Sequence, residues 1–140
     1  MGCRDMEYAL DTNIIIHLMR DTNSVWENCV KAQEGSARFI VPPFVHYEIR
    51  RGLLIRPSLK RDKAYSMICD NCTLGDMNAD TWELAAKIYA ELYKKSFSVE
   101  DADILIAAFC IVNGYTLVTD NIKDFENIEG LTVENWVVRD

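Results

Sequence analysis

Tyr8-Ala9-Leu10-Asp11-Thr12-Asn13-Ile14-Ile15-Ile16 opens as a short apolar strand, turns at an aspartate and continues into residues that read as a helix. A carboxylate at that junction stands at the carboxyl end of a strand, where open parallel α/β sheets bind ligands. Three further acidic stretches occupy equivalent places. Glu48 follows Phe39-Ile40-Val41-Pro42-Pro43, Asp101 and Asp103 open an apolar helix, and Asp120 with Asp124 follows Thr116-Leu117-Val118. Gathered at one sheet edge, such carboxylates repel one another, and burying them unpaired is costly or raises their pKa. A divalent cation removes the penalty. Hard oxygen donors with no accompanying His or Cys cluster suit Mg²⁺ or Mn²⁺ better than zinc.

Working outward, strands are expected at residues 7–10, 38–41, 72–74, 116–118 and 131–134, with helices between them. The first helix starts near Asn13 and the second covers residues 25–34, ended by Gly35-Ser36 in the manner of a glycine cap. Pro43 suits the first position of a helix running to about Arg56, because its missing N–H would be unpaired there anyway. A further helix covers residues 59–69. Asp80 reads as the N-cap of the next, in which Trp82, Ala85, Ala86, Tyr89 and Leu92 recur at helical spacing and are expected to face inward. Ser98-Val99-Glu100-Asp101 resembles a capping box for the helix that Gly114 closes. Alternating strands and helices predict an α/β fold, a mainly parallel sheet covered on both faces.

With 140 residues and 49% hydrophobic content, one domain spanning 1–140 is expected. No apolar run is long enough to cross a bilayer, and residues 1–7 lack the pattern of a secretory signal, so a cytoplasmic protein with no membrane association is expected. Five cysteines, Cys3, Cys29, Cys69, Cys72 and Cys110, form no disulfide framework, and Cys69-Asp70-Asn71-Cys72 lacks the second pair that a structural zinc requires. Buried thiols are the simpler reading. A net charge of −7 argues against binding nucleic acid through bulk electrostatics. The local exception is Arg50, Arg51, Arg56, Lys60, Arg61 and Lys63, which read either as a solvated helix face or as a phosphate-positioning surface beside Glu48.

Each acidic position also has an ordinary structural explanation. Asp11 can cap the helix at Asn13, and a glutamate such as Glu48 usually faces solvent. Periodicity cannot separate Asp101 from Asp103, because the helix is apolar on every side. The capping position suits Asp101 and leaves Asp103 the stronger candidate ligand. Either Asp120 or Asp124 can cap the turn before Phe125. The combination carries more weight than any one member.

Together, Tyr8-Ala9-Leu10-Asp11-Thr12-Asn13-Ile14, Glu48-Ile49-x-x-Gly52, Asp103-x-x-Ile106-Ala107-Ala108, Gly114-x-x-Leu117-Val118-Thr119-x-Asn121-x-x-Asp124-Phe125 and Gly130-Leu131-x-Val133-Glu134-Asn135-Trp136 resemble the PIN-domain family, and within it the VapC type of ribonuclease toxin. The resemblance spans nearly the whole chain in order. It implies a PIN-like three-layer sandwich and an Mg²⁺-dependent endoribonuclease whose ligands fall on Asp11, Glu48 and Asp103. A fourth position lies among Asp120, Asn121 and Asp124. Thr12, Asn13, Asp101, Thr119 and Asn121 would support those ligands or touch substrate, and Arg50 and Arg51 are weaker candidates for RNA phosphate. The resemblance further implies an RNA substrate, a cognate antitoxin protein and a homodimer.

Other classes fit less well. A phosphoaspartate phosphatase would need a second Asp where Asn13 stands, and a receiver domain would need a lysine where Thr119-Asp120 follows the late strand. No glycine-rich phosphate loop or Ser/His nucleophile motif is present. A nuclease acting in RNA processing outside toxin–antitoxin systems, and a non-catalytic RNA- or antitoxin-binding subunit, are the alternatives of the same fold.

Overall fold

Five short strands build the sheet: β1 (Glu7–Leu10), β2 (Arg38–Val41), β3 (Thr73–Leu74), β4 (Thr116–Val118) and β5 (Val133–Glu134). This is a computed structural model, and it describes residues 6–139. Cys3 and most of the segment 1–7, where no secretory signal pattern was expected, lie outside the described residues. The strand order is β3-β2-β1-β4-β5 and every pairing is parallel, so the sheet is more uniform than the mainly parallel one expected. Ala9, Leu10, Ile40, Val41, Leu117 and Val118 are each 1% exposed or less. Such continuous apolar runs belong to parallel strands covered on both faces.

Six helices flank the sheet: α1 (Thr12–Met19), α2 (Asn23–Glu34), α3 (Pro43–Ile55), α4 (Leu59–Asp70), α5 (Ala79–Lys94) and α6 (Asp101–Asn113). α1 packs against α2, α3 and α4, while α5 lies along α6. The result is the three-layer α/β sandwich. α6 buries Ile104, Ile106 and Phe109, each stabilising the fold by roughly 1.5–3 kcal/mol relative to exposure. Its end is a true left-handed glycine cap, with Gly114 at φ 70°. Among the described residues, no helix is long and apolar enough to cross a membrane.

Several local expectations are corrected. In α5 the inward stripe is Thr81, Ala85, Ile88 and Leu92; the period is right but the face is turned, leaving Trp82, Ala86 and Tyr89 exposed. Its N-cap is Asn78, which accepts from the Thr81 N–H at 2.9 Å, so Asp80 falls inside the first turn. α6 has Glu100 at its N-cap with no side-chain capping bond, and no capping box forms. Gly35 ends α2 with a negative φ, and the left-handed residue is Ser36 at φ 65°.

Gly75, just beyond β3, sits where a Cβ would come within 2.2 Å of the Phe109 ring. Phe109 is only 2% exposed and cannot swing aside. Gly75→Ala is expected to lower stability by about 1–3 kcal/mol through overpacking, read as a fall in the denaturation midpoint with an unchanged m value. Cys29 and Cys110 are buried and Cys69 and Cys72 half-buried, all as free thiols. Burial, then the neighbouring Cys69 and Cys29, pushes the Cys72 thiol up to about 12, which keeps it protonated and unreactive.

Candidate metal centre

The connection leaving β1 runs to β2 on one side, whereas β4 lies on the other, so the crevice beyond β1 and β4 is a topological switch point. Asp11 emerges from β1 and Thr119 from β4, and their side chains meet across that crevice. The Asp11 backbone N–H donates to the Val118 carbonyl at 3.0 Å. Thr119 Oγ1 donates to Asp11 Oδ2 at 2.7 Å, and Asn13 Nδ2 donates to the same oxygen at 3.2 Å. The Thr12 N–H donates to Asp11 Oδ1 at 2.8 Å, so Asp11 is also the N-cap of α1.

Asn13 and Thr119 tie this frame to the next loop. Asn13 Oδ1 accepts from the Asp120 N–H at 2.9 Å, and Thr119 Oγ1 accepts from the Asn121 N–H at 3.1 Å. On the other side, Thr12 Oγ1 donates to Glu48 Oε1 at 2.8 Å, turning Glu48 inward from the second turn of α3. Residues thirty-six positions apart in sequence are thereby joined by one hydroxyl.

A cavity of about 620 Å³ opens above this frame, lined by Asp11, Glu48, Asp103 and Asp124 together with Thr12, Asn13 and Asn121. Its remaining wall includes Glu100 and Lys123. Asp103 stands in the first turn of α6. Burial is the largest influence on it, followed by the charges of Asp124, Asp11, Glu100 and Glu48, and its carboxyl is pushed up to about 7. Burial likewise raises Asp11, opposed by the bonds from Thr119 and Thr12 and aided by the charge of Glu48.

Other candidates lie elsewhere. Asp101 is exposed at the first position of α6 and does not line the cavity. Asp120 is likewise outside its wall. Arg139 Nη1 donates to Asp120 Oδ1 at 2.6 Å and Nη2 reaches Oδ2, with Asn135 and His17 on the same carboxylate. These contacts, Arg139 foremost, hold the Asp120 carboxyl down at about 2. Arg51 pairs with Glu48 at 3.7 Å and lies over the Tyr47 ring, while Arg50 pairs with Asp62. His46 bonds Tyr65 at 2.7 Å, so neither histidine faces the cavity.

The donor set fits a hard cation: its oxygen groups are carboxylates, amides and hydroxyls, and no sulfur or imidazole lines the wall. Among the described residues, no three His, Cys, Asp or Glu side chains are drawn together as tightly as a bound ion requires. Glu48 is tied instead to Thr12 and Arg51. Lys123, absent from every sequence motif considered, also lines this wall.

Comparison with known proteins places the chain among relatives of the same architecture. The model of the PIN domain matches residues 8–131. A protein of Rickettsia felis named ribonuclease VapC1 is 48% identical over 132 residues, covering 91% of this chain and 95% of its own. Ribonuclease VapC2 of the same organism is 28% identical over 134 residues, covering 94% of this chain and 98% of its own. The crystal structure of VapBC2 from Rickettsia felis, bound to a DNA fragment from its promoter, superposes with a TM-score of 0.87 at 25% identity. That match covers 94% of this chain and 100% of the solved one.

Proposed function

The chain belongs to the PIN-domain family and to its VapC members, and from that premise we propose that it is the endoribonuclease toxin of a toxin–antitoxin pair. In this reading, residues 1–140 form one PIN domain acting in the cytoplasm. Asp11, Glu48, Asp103 and Asp124 would hold Mg²⁺ or Mn²⁺. The observation that carries the reading is that those four carboxylates line one cavity at the sheet's switch point, with Asp103 pushed up to about 7 by burial and its neighbours. Asp124 takes the fourth position because it lines the cavity, whereas Asp120 is claimed by Arg139.

The chain's own groups divide the work. Thr119 and Asn13 fix Asp11 Oδ2, and Thr12 fixes Glu48 Oε1, so the remaining lone pairs of both carboxylates are aimed before a ligand arrives. Asp103 has no such tether and yields its proton when positive charge enters the cavity. A bound cation supplies polarisation of the phosphoryl oxygen and a lowered pKa for the attacking water. Asn121 lines the wall with its amide available to RNA. Asp120 serves instead to anchor the turn after β4 to the C-terminal segment.

Partners follow from the same reading. RNA is the substrate, and a cognate antitoxin protein is the natural inhibitor, since the Rickettsia felis neighbour is solved as a VapBC complex. A homodimer is proposed, with the exposed Tyr89 and Tyr93, stacked at 6.2 Å, and Phe97 as its candidate face. Incubating the purified protein with total cellular RNA, in Mg²⁺ or in EDTA, and sequencing the new ends tests the activity. Discrete new ends in Mg²⁺ alone are expected. Saturable RNA binding with no new ends would instead favour a non-catalytic subunit.

A further inference from the structure

We propose that Lys123 is a substrate-binding residue that grips a phosphate of single-stranded RNA beside the acidic centre, an assignment that rests on the ribonuclease reading of this cavity. Lys123 lies in a 3₁₀ turn, Ile122–Phe125, immediately after β4 and its Thr119. It is the one lysine or arginine that lines the cavity of Asp11, Glu48, Asp103 and Asp124 among the described residues. Despite those neighbours, it makes no ion pair within 4 Å among the described residues.

The other nearby cations are already engaged. Arg51 is spent on Glu48 and the Tyr47 ring, Arg50 on Asp62, and Arg139 on Asp120. Lys123 is therefore the positive charge in the cavity wall left for an incoming polyanion, in a protein whose net charge of −7 offers no general attraction. Its mounting is firm. Phe125 is 2% exposed and anchors the turn in the core, the Asp124 N–H donates to the Asn121 carbonyl at 3.1 Å, and Thr119 Oγ1 receives the Asn121 N–H. A lysine on such a turn presents a compact charge with three donors, which suits the non-bridging oxygens of a phosphodiester. It also offsets part of the anionic wall that a phosphate must approach.

The test compares the wild type with Lys123→Gln and Lys123→Arg. Cleavage of a short single-stranded RNA oligonucleotide in Mg²⁺ gives KM and kcat, and binding of the same labelled RNA is titrated over a range of KCl in an Asp103→Asn background. Lys123→Gln is expected to raise KM about tenfold, the effect of one charge-assisted hydrogen bond, with kcat changed little. The slope of log binding constant against log salt should fall in magnitude by about 0.7, the value for one released counterion on a single strand. Lys123→Arg should restore most of the affinity. RNA bound with the same affinity and salt slope by Lys123→Gln would remove Lys123 while leaving the ribonuclease reading intact. A loss confined to kcat would likewise overturn the binding role. RNA neither bound nor cut by any variant, the wild type included, would remove both.

Discussion

Asp103→Asn is expected to cut Mg²⁺-supported RNA cleavage by about 10³-fold, the loss of several kcal/mol of transition-state charge stabilisation, while raising the thermal stability of the metal-free protein above neutral pH. The two effects have one origin. Burial and four neighbouring carboxylates push Asp103 up to about 7 in the folded protein, whereas in the unfolded chain it titrates near its ordinary value of 3.8. Between about pH 4 and pH 7 the folded state therefore retains a proton that the unfolded state has released. Stability falls as pH rises through that window, and the full penalty is present above it. The neutral amide removes the penalty.

For a group this open to solvent, the gain is on the order of 1–2 kcal/mol after discounting for screening. That amounts to several degrees in Tm for a chain of this size. Thermal melts at pH 5 and pH 8, with and without Mg²⁺, read both consequences. The wild type should be stabilised by Mg²⁺ through its preferential binding to the folded state, and Asp103→Asn much less so. Equal Mg²⁺ stabilisation of the two proteins, or undiminished cleavage by the variant, would take Asp103 out of the proposed centre.

For Asp11→Asn, cleavage should fall as far but stability should move the other way. Like-charge repulsion alone would favour the amide, yet Asp11 accepts three hydrogen bonds, from Thr12 N–H, Thr119 Oγ1 and Asn13 Nδ2. An Nδ2 replacing Oδ2 would confront the Asn13 amide donor, and Thr119 could turn to accept only by changing its own bonding to Asn121. Losing one satisfied partner at a site 6% exposed costs about 1–3 kcal/mol. A lower Tm at pH 8 in EDTA, accompanied by loss of cleavage, is the expected pair of readings. A Tm above that of the wild type would show that repulsion outweighs the bonds, and full activity would exclude Asp11 from the chemistry.

The opposite signs expected for two neighbouring carboxylates depend on contacts that no pattern in the sequence exposes. Asp11 could be read as a helix cap from Leu10-Asp11-Thr12-Asn13, and it is one. Glu48, by contrast, taken alone reads as a solvent-facing glutamate and becomes a candidate only in combination with the other acidic positions; what draws it inward is the hydroxyl of Thr12 from another element. The turned face of α5 has a related cause. Trp82, Tyr89 and Leu92 satisfy helical spacing, but Thr81 and Ile88 satisfy it equally one position earlier. The packing of α5 on α6, and the side-chain bond from Thr81 to Asn78, selects the second set.

The sequence alone determined the alternation of strands and helices, the mainly parallel α/β class, and the placing of acidic residues beyond strand ends. Those properties follow from local periodicity, turn chemistry and the rule that open parallel sheets bind ligands at their carboxyl edge. Tertiary structure decided which carboxylates share the cavity: Asp124 lines it, while Arg139 holds Asp120 outside. It also decided that Lys123 stands unpaired among the described residues of that wall. Asp120 and Asp124 are both aspartates in one short loop, and nothing local distinguishes them. An arginine from the far end of the chain does, because electrostatic pairing depends on distance in space and is indifferent to distance along the chain.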